Sequence, residues 1–319
     1  IIHNSKTDAI LRFHPWIFSG AVKSKDDAIK NDTLVEVVNE RGKFLAIGYF
    51  TQSNIAVRIL SFTPIESLQQ LFEDKIKNAF AARTTIGLTN NAKTNAYRLI
   101  HAEGDAEILT VKENENLFRI DFITGQKTGF FIDQRENRNL LATYSRGKKV
   151  LNTFCYTGGF SVYAAKANAE KVVSVDSSEK AMVLTDQNIA LNGCEAIHES
   201  VTSDVFDYLK TVKKGDFDVI VLDPPAFAKN VAARHHAIQA YKRINLEAMQ
   251  KLEKGGILFT FSCSQVVNYD LFRGAVTAAA IEAGKNIRIL HQLTQPPDHP
   301  INIFHPEGNY LKGLVLLVN

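Results

Sequence analysis

Four side chains that can do chemistry follow short apolar runs of the sequence. Asp176 and Asp223 end the runs "KVVSVD" and "FDVIVLD", Asp204 lies in "TSDVF", and Cys263 follows "GILFTFS". A carboxylate at a strand end can bind both hydroxyls of a ribose, which suits Asp176, and Asp204 could reach an adenine amino group. A thiolate can add to an electron-poor ring carbon. From position alone, Cys263 is equally a nucleophile or a small apolar residue of the core.

The elements that must position these residues alternate between strands and helices. Strands are predicted at 149–154, 171–176, 217–223, 256–262, 286–293 and 310–318, and helices at 159–168, 178–192, 234–253 and 269–283. This alternation predicts an α/β fold with a Rossmann-like, doubly wound and mostly parallel sheet covered by helices on both faces. The last strand has no helix after it and could lie antiparallel to its neighbour. In such a sheet a ligand binds beyond the carboxyl ends of the strands, where the acids lie.

A glycine pair follows the first of these strands, in "LNTFCYTGGFSVYAA" (151–165). Gly158 and Gly159 allow the backbone to approach a ligand just before a helix begins. The dinucleotide motif G-x-G-x-x-G is absent, which disfavours a nicotinamide oxidoreductase. The glycines, the acids at 176 and 204, and the rigid turn "DPPAF" after the later strand together favour S-adenosylmethionine as the cofactor.

The segment "QKTGFFIDQRENRNLL" contributes to the same predicted site. Asp133 with Glu136 resembles a capping box that opens a helix over 134–145. Gln134 and Arg135 would then face the cofactor from the first turn, where Arg135 could pair with a carboxylate. Phe131 is as consistent with the core as with a wall of the cofactor site.

The composition excludes several classes of protein. The 319 residues carry a net charge of +3 and 45% hydrophobic residues, as expected for a globular chain with a full core. The three cysteines are too few and too scattered for a disulfide framework or a zinc site, so no metal is expected. No apolar run reaches the roughly 18 residues of a membrane helix. No signal-peptide hydrophobic region opens the sequence. We therefore expect a cytoplasmic protein with no membrane partner.

Several motifs, in this order, resemble one family. They are "RFHPWIFSGAV" (12–22), "TNAYRLIHAEGD" (94–105), "KTGFFIDQR" (127–135), "LNTFCYTGGFSVYAA" (151–165), "VVSVDSS" (172–178), "VIVLDPPAFAK" (219–229), "FTFSCSQ" (259–265) and "DHP…PEGNYLKG" (298–313). The chain resembles the ribosomal RNA large subunit methyltransferase I family of S-adenosylmethionine-dependent cytosine-5 methyltransferases. Two departures stand out: the centre passes from "HAEGD" to "AEILTVKEN" where the family has several dozen more residues, and Ala226 replaces a lysine found in many relatives.

The resemblance implies three domains and a set of site residues. The domains are a PUA-like RNA-binding module at 1–64, a shortened central α+β domain at 65–122 and a class I methyltransferase domain at 123–319 with a mostly parallel, seven-stranded sheet. The resemblance makes Cys263 the nucleophile, with Asp223 beside the N3/N4 edge of the cytosine. To the cofactor residues above it adds Phe131, Asn152, Phe154, Tyr156, Thr157, Ser177 and Pro224.

The expected macromolecular partner is RNA, with large-subunit ribosomal RNA as the substrate that the resemblance implies. Aromatic rings can stack on unpaired bases, and cations can bind phosphates. The candidates are His14, Trp16, Phe18, Arg98 and Lys229. Each has a structural alternative: Trp16 is more often a core anchor, and Lys229 equally suits a solvated helix face. We also allow for a homodimer.

Two other functions compete with this prediction. One is methylation of an exocyclic base amine, which D-P-P-aromatic motifs support, although Ala226 separates the prolines from Phe227 and Cys263 would have no task. The other is an RNA-binding protein with an inactive methyltransferase fold, which the shortened centre keeps open.

Overall fold

The computed structural model describes residues 1–99, 109–121, 129–228 and 230–319. They form two compact units, Ile1–Ala82 with Ile301–Gly308, and Arg83–Pro300 with Asn309–Asn319. None of the helices in these residues is long and apolar enough to cross a membrane.

The first unit is built on a four-stranded antiparallel sheet in the order β1-β4-β3-β2. Its strands are β1 (Trp16–Phe18), β2 (Leu34–Val38), β3 (Phe44–Phe50) and β4 (Ile55–Ser61), with helices α1 (Asp8–Leu11) and α2 (Leu68–Thr85), whose last turn extends into the second unit. Alternate residues of these β-branched and aromatic segments point to one side and make a small core around Ile17, Ala46 and Val57.

The second unit contains a β-hairpin, a seven-stranded sheet and six α-helices among the residues described. The hairpin is β5 (Leu109–Glu113) and β6 (Asn116–Ile120). The strands of the sheet are β7 (Lys149–Thr153), β8 (Lys171–Asp176), β9 (His198–Thr202), β10 (Val219–Leu222), β11 (Ile257–Ser262), β12 (Ile287–Leu293) and β13 (Lys312–Val318). The helices are α3 (Arg135–Ser145), α4 (Gly159–Lys166), α5 (Glu179–Leu191), α6 (Val205–Thr211), α7 (Arg234–Lys251) and α8 (Tyr269–Glu282). Short 3-10 helices in the two units are Asn4–Lys6, Ser19–Ala21, Ile132–Gln134, Glu195–Ile197, Val231–Ala233 and Pro306–Gly308.

The large sheet has the order β12-β13-β11-β10-β7-β8-β9. The pairs among β7 to β11 are parallel, and β13 runs antiparallel to both β11 and β12. This confirms the predicted doubly wound fold and the antiparallel last strand. Two elements, β9 and α6, were not predicted, because the β9 sequence "HESVT" is polar and partly exposed rather than an apolar run.

Both faces of the sheet are buried, as the apolar strands require. Ile220 and Leu222 of β10 pack into a cluster with Tyr241 of α7, whereas Val219 and Val221 pack on the opposite face with Phe160 of α4. Side chains alternate in direction along a strand, so a fully apolar strand needs a layer of helices on each side. The two helix layers fix the positions of the strands, and the site lies at the carboxyl ends of those strands.

Candidate active site

The predicted site residues follow strands that end at one edge of the sheet. Leu222 of β10 pairs with Thr153 of β7 and with Thr260 of β11. Because these strands are parallel, the residues after their carboxyl ends share this edge, as the strand-end rule requires. Asp176, Asp223 and Cys263 are therefore all brought to the same side of the sheet.

A cleft with about 310 Å³ of empty space opens at this edge. It is lined by Phe130, Phe131, Gln134, Arg138, Cys155, Tyr156, Thr157, Gly159, Phe160 and Asp223. Six of the residues predicted for the cofactor are among them: Phe131, Gln134, Tyr156, Thr157, Gly159 and Asp223. The rings of Phe131 and Tyr156 meet edge to face with their centroids 5.4 Å apart, so Phe131 belongs to the wall of the cleft.

The loop after β7 forms the floor of the cleft in a constrained conformation. Phe154 and Tyr156 have positive φ angles of 54° and 48°, and Gly158 has 75°. Positive φ costs a side chain free energy and is retained where surrounding contacts enforce it. Here the amide of Tyr156 donates to Asp176 Oδ2 over 3.0 Å, and the Thr185 hydroxyl donates to the Tyr156 carbonyl over 2.9 Å. A Cβ on Gly158 would lie 2.8 Å from Thr185 Cγ2, so this position has room only for glycine.

The carboxylate of Asp176 is held in place by backbone amides. Its Oδ2 accepts from Tyr156 and its Oδ1 from the amide of Ser178 over 2.9 Å, which fixes the plane of the carboxylate at the end of β8. Ser177 is exposed beside it. Asp204 is also exposed, and its Oδ1 caps α6 by accepting from the amides of Phe206 and Asp207. Asp204 therefore has a structural task as a helix cap that the sequence did not reveal, and its predicted contact with adenine stays a prediction.

Gln134 links the helix layer to the acid after β10. Its Nε2 donates to Asp223 Oδ2 over 3.0 Å, and Asn137 Nδ2 donates to its Oε1 over 2.6 Å. The amide of Gln134 is therefore oriented so that the carboxylate of Asp223, which is half-buried, is fixed towards the cleft. Pro224 follows it and is buried.

The structure does not bring Arg135 to the cleft. Its guanidinium is buried and binds Asp298, with Nη1 3.1 Å from Oδ2 and Nη2 2.9 Å from Oδ1, while its Nε donates to Glu136. The expected carboxylate partner exists, but it belongs to the protein. The helix begins at Arg135 rather than at Gln134, and the contacts of this side chain are with Asp298 and Glu136 rather than with the cofactor residues.

The predicted capping box is also absent. Asp133 is buried in the 3-10 turn before α3, and its Oδ2 accepts from the hydroxyl of Tyr310 over 2.6 Å. The carboxylate of Glu136 accepts a hydrogen bond from Arg135 Nε rather than from the backbone amide at the start of the helix. This gives Tyr310, which lies in the motif "PEGNYLKG", a structural task that the sequence did not reveal.

Eight of the residues predicted for the cofactor are not among those that line the cleft: Arg135, Asn152, Phe154, Gly158, Asp176, Ser177, Asp204 and Pro224. Two of them, Asn152 and Phe154, lie in β7 and directly after it. Asn152 is buried within β7 and its Nδ2 donates to Ser161 over 2.8 Å, while no donor among the described residues reaches its Oδ1. Phe154 packs against the core on the α7 face of the sheet. They support the loop from below.

The three cysteines occupy different environments. Cys155 and Cys194 are 6% and 8% exposed, and burial raises the pKa of both thiols, for Cys155 with a further contribution from the charge of Asp176. Cys155 packs against Met182 with the sulfurs 3.4 Å apart. Cys263 is half-buried at the end of β11. It is the most accessible of the three.

Two buried ion pairs support the cleft and were not predicted from the sequence. Arg138 Nε and Nη2 bind the two oxygens of the fully buried Glu113 at 2.9 and 2.8 Å, and Arg138 Nη1 donates to the carbonyl of Phe131. The other is Arg135 with Asp298. Their partners lie 25 and 163 residues apart in the sequence, and the only local signal was an arginine on the inner face of a helix.

The RNA candidates of the first unit form an aromatic cluster. The rings of His14, Trp16 and Phe18 lie within 6.4 Å of one another, and Trp16 packs edge-on to His305 with centroids 4.2 Å apart. His14 Nε2 lies 3.5 Å from Glu307 Oε2. Trp16 is half-buried, while Phe18 is 47% exposed and offers a face for stacking.

The other two RNA candidates, Arg98 and Lys229, do not belong to this aromatic cluster. Arg98 lies in the second unit, where its amide donates to Asp298 Oδ2 over 3.0 Å and its carbonyl accepts from Arg83. Lys229 lies outside the described residues. Their contacts with RNA remain predictions.

The chemistry of the groups in and beside the cleft fits S-adenosylmethionine. Gly158, where a Cβ would contact Thr185, lets the backbone come close to a ligand. Asp176, beside the cleft, presents a fixed acceptor for ribose hydroxyls. The rings of Phe131 and Tyr156 offer flat apolar surfaces. The one arginine side chain that lines the cleft is neutralised by Glu113, so the cleft does not present the cationic cradle typical of a diphosphate.

Comparison with known proteins agrees with this fit. A family model described as S-adenosylmethionine-dependent methyltransferase matches residues 63–314, and one described as a PUA-like domain matches residues 1–62. The chain has a TM-score of 0.83 and 20% identity, over all of both chains, with a Streptococcus mutans protein assigned as a SAM-dependent methyltransferase. It has a TM-score of 0.82 and 20% identity, over 99% of both chains, with the methyltransferase SMU.776 crystallised with SAH.

Closer relatives carry one name. A protein from Aeromonas hydrophila called ribosomal RNA large subunit methyltransferase I is 36% identical over 384 aligned positions, covering 97% of this chain and 96% of the relative. The protein of that name from Escherichia coli is 32% identical over 392 positions, covering 100% and 98%. The first alignment exceeds the 319 residues of this chain by 65, so at least that many residues of the relative have no counterpart here. The chain belongs to the ribosomal RNA large subunit methyltransferase I family of S-adenosylmethionine-dependent methyltransferases.

Proposed function

We propose that this methyltransferase forms 5-methylcytosine in large-subunit ribosomal RNA through a covalent bond between Cys263 and C6 of the cytosine. The observation that carries the proposal is the placement of a half-buried thiol after β11, beside the β10 end where Asp223 faces the cleft. The names of the relatives support the ribosomal substrate.

The chemistry of cytosine explains why a thiol is needed. C5 of the ring is too electron-poor to attack an electrophile, so a nucleophile must first add to C6. Attack by the Cys263 thiolate forms a C–S bond, and the electrons of the C5–C6 double bond make C5 nucleophilic. C5 would then bond to the methyl group that S-adenosylmethionine supplies when bound, and S-adenosylhomocysteine would leave with the electrons of the broken S–CH3 bond. A base then removes the C5 proton, the C5–C6 double bond re-forms, and the sulfur leaves with the electrons of the C–S bond.

Asp223 has the position to hold the base during this sequence. Its Oδ2 is oriented by Gln134, and its side chain lines the cleft. A carboxylate there accepts a hydrogen bond from the exocyclic amine of cytosine and stabilises positive charge on the ring. Electrostatic groups fixed before the reaction lose no free energy to reorientation in the transition state.

RNA binding is assigned to exposed aromatic and cationic groups. In the first unit Phe18 offers an exposed ring, and stacking on such a ring is worth about 1–3 kcal/mol per base. The target base must leave its stack to reach the cleft, and it is then recognised by its edge.

The first experiment measures the product. Unmodified large-subunit RNA is incubated with the protein and S-adenosylmethionine, digested to nucleosides and analysed by mass spectrometry. We expect 5-methylcytidine with the wild type and with Cys194→Ala, and none with Cys263→Ala, which should still bind S-adenosylmethionine in calorimetry. A methylated amine would instead support the exocyclic-amine alternative, and binding without any product would support a non-catalytic RNA-binding protein.

A second experiment traps the covalent step. RNA carrying 5-fluorocytidine at the target keeps its fluorine, because fluorine cannot leave C5 as a cation, so the sulfur cannot be expelled. The wild type should form a complex with this RNA that survives denaturing electrophoresis, with the crosslink on the Cys263 peptide. A crosslink on Cys155, or turnover by Cys263→Ala, would refute the assignment.

A further inference from the structure

Lys312 lies beside Cys263 through the antiparallel pairing of β13 with β11. It pairs in register with Ser262, and its Nζ donates to the carbonyl of Ser264 over 2.6 Å. These two serines are the neighbours of Cys263 in the sequence. The ammonium is thereby fixed at the same sheet edge as the thiol.

The ammonium of Lys312 is buried without an acidic partner. The residue is 5% exposed, and no carboxylate of the described residues lies within the 4 Å of an ion pair to its Nζ. Burial lowers the pKa of Lys312 to about 8, and the attraction of a thiolate at Cys263 opposes that shift. A buried cation is costly unless an opposite charge offsets it, and the thiolate of Cys263 is the charge placed to do so.

The two phenols whose charge interacts with the thiol, those of Tyr241 and Tyr310, keep one charge state near neutral pH. Burial raises the pKa of Tyr241 and of Tyr310, in the second case with the nearby charge of Asp133, so both phenols stay protonated. Asp133 accepts a hydrogen bond from the hydroxyl of Tyr310, and Asp223 accepts one from the side-chain amide of Gln134. Among these groups Lys312 is the cation close to the sulfur.

We propose that Lys312 is the positioning charge that favours the thiolate form of Cys263 and stabilises the sulfur again when it leaves the base. This inference rests on the proposed function, in which Cys263 is the nucleophile. Electrostatic coupling is reciprocal: if the thiolate favours the charged amine, the charged amine favours the thiolate by the same free energy.

The size of the effect follows from the thiol chemistry. Lowering the pKa of a thiol by one unit from about 8.5 raises its thiolate fraction at pH 7 about eightfold. The intrinsic nucleophilicity of that thiolate falls about threefold over the same unit, so the net gain in attack is about threefold. The thiolate with the lower pKa is also the faster leaving group. The ammonium therefore assists both ends of the catalytic cycle.

The test measures the titration of Cys263 in the full chain. Iodoacetamide alkylation is followed from pH 5 to 9 by peptide-resolved mass spectrometry in the wild type, Lys312→Met and Lys312→Arg. We expect Lys312→Met to raise the midpoint by about one unit and to slow alkylation at pH 7 about threefold. Lys312→Arg keeps the charge and should restore the lower midpoint. Equal midpoints in the wild type and Lys312→Met would overturn the inference.

Two readouts separate a charge effect from loss of structure. Cys194 is buried far from the proposed chemistry, and unchanged alkylation of its peptide shows that a variant has kept its fold. The acid limb of the methylation rate should move to higher pH in Lys312→Met together with the alkylation midpoint, and a limb that stays in place would refute the link to turnover. Turnover by Cys263→Ala would refute the proposed function itself, whatever Lys312→Met shows.

Discussion

Replacing Asp298 by asparagine removes the charge from a carboxylate that is completely buried in the second unit. The side chain is completely buried and accepts from Arg135 Nη1 and Nη2 at 3.1 and 2.9 Å and from the amide of Arg98 at 3.0 Å. Asparagine has nearly the same shape, but it removes the buried counter-charge of the Arg135 guanidinium and leaves the exposed Glu136 as its remaining charged partner. Breaking a buried pair in this way costs about 3–5 kcal/mol.

The cost is measurable as a change in the free energy of unfolding. We expect Asp298→Asn to lower the midpoint of thermal unfolding by about 10 °C, at roughly 2–4 °C per kcal/mol for a unit of this size. Circular dichroism with heat and urea measures both quantities. Asp207→Asn is the matched control, because Asp207 pairs with Lys210 at 2.7 Å on the surface, where solvent screens the pair and its contribution to stability is small. Equal losses in the two variants would refute the argument from burial.

A double variant tests the source of the cost. Asp298→Leu with Arg135→Met replaces the pair by apolar side chains, and it should recover most of the loss if an uncompensated charge causes it. If the double variant is as unstable as Asp298→Asn, the hydrogen bond from Arg98 rather than the charge pair is the important contact.

The dependence on pH follows from the direction of the shift. Burial alone would raise the pKa of Asp298, but the hydrogen bonds from His299 and Arg135 outweigh it and hold the pKa well below its usual range. The stability that this carboxylate contributes is therefore complete above the unfolded value of about 3.9, and is lost as pH falls through the lower folded value. The difference between the wild type and Asp298→Asn should be constant from pH 6 to 8 and shrink only below about pH 4.

Three further predictions concern the cleft. Asp176→Ala should weaken S-adenosylmethionine binding by tenfold or more in calorimetry, since hydrogen bonds to a charged group are worth about 1.5–3 kcal/mol, and an unchanged affinity would refute the ribose assignment. Gly158→Ala should cost about 1–3 kcal/mol in urea unfolding, because of its positive φ and its contact with Thr185 Cγ2; Thr185→Ser removes that methyl and should recover part of the loss. Asp204→Ala should cost about 1 kcal/mol through the lost helix cap, and only a separate fall in cofactor affinity would support a contact with adenine.

The sequence predicted the parts of the fold that local patterns encode. The apolar β-branched runs gave the strands of the parallel sheet, and the loop after β7 was recognised because its glycines and neighbouring acids are close in sequence. Contacts across long separations left no such pattern. Lys312 and Ser264 are 48 residues apart, and Arg135 and Asp298 are 163 apart, so only the folded chain shows that each pair meets. The role expected of Arg135 was wrong because its partner, Asp298, is too distant in the sequence for local patterns to show.

One residue restricts the pairing of β13 with β11 to a single register. Gly313 lies opposite Phe261, and a Cβ at Gly313 would come within 2.6 Å of that ring. A slip of the strand by one residue would force Lys312 or Leu314 into the space that the ring occupies, and would turn every side chain of the strand to the other face. Gly313, which has no side chain, therefore maintains the register that places Lys312 near Cys263. A methyl group added at Gly313 would disturb that placement, although Gly313 itself takes no part in the chemistry.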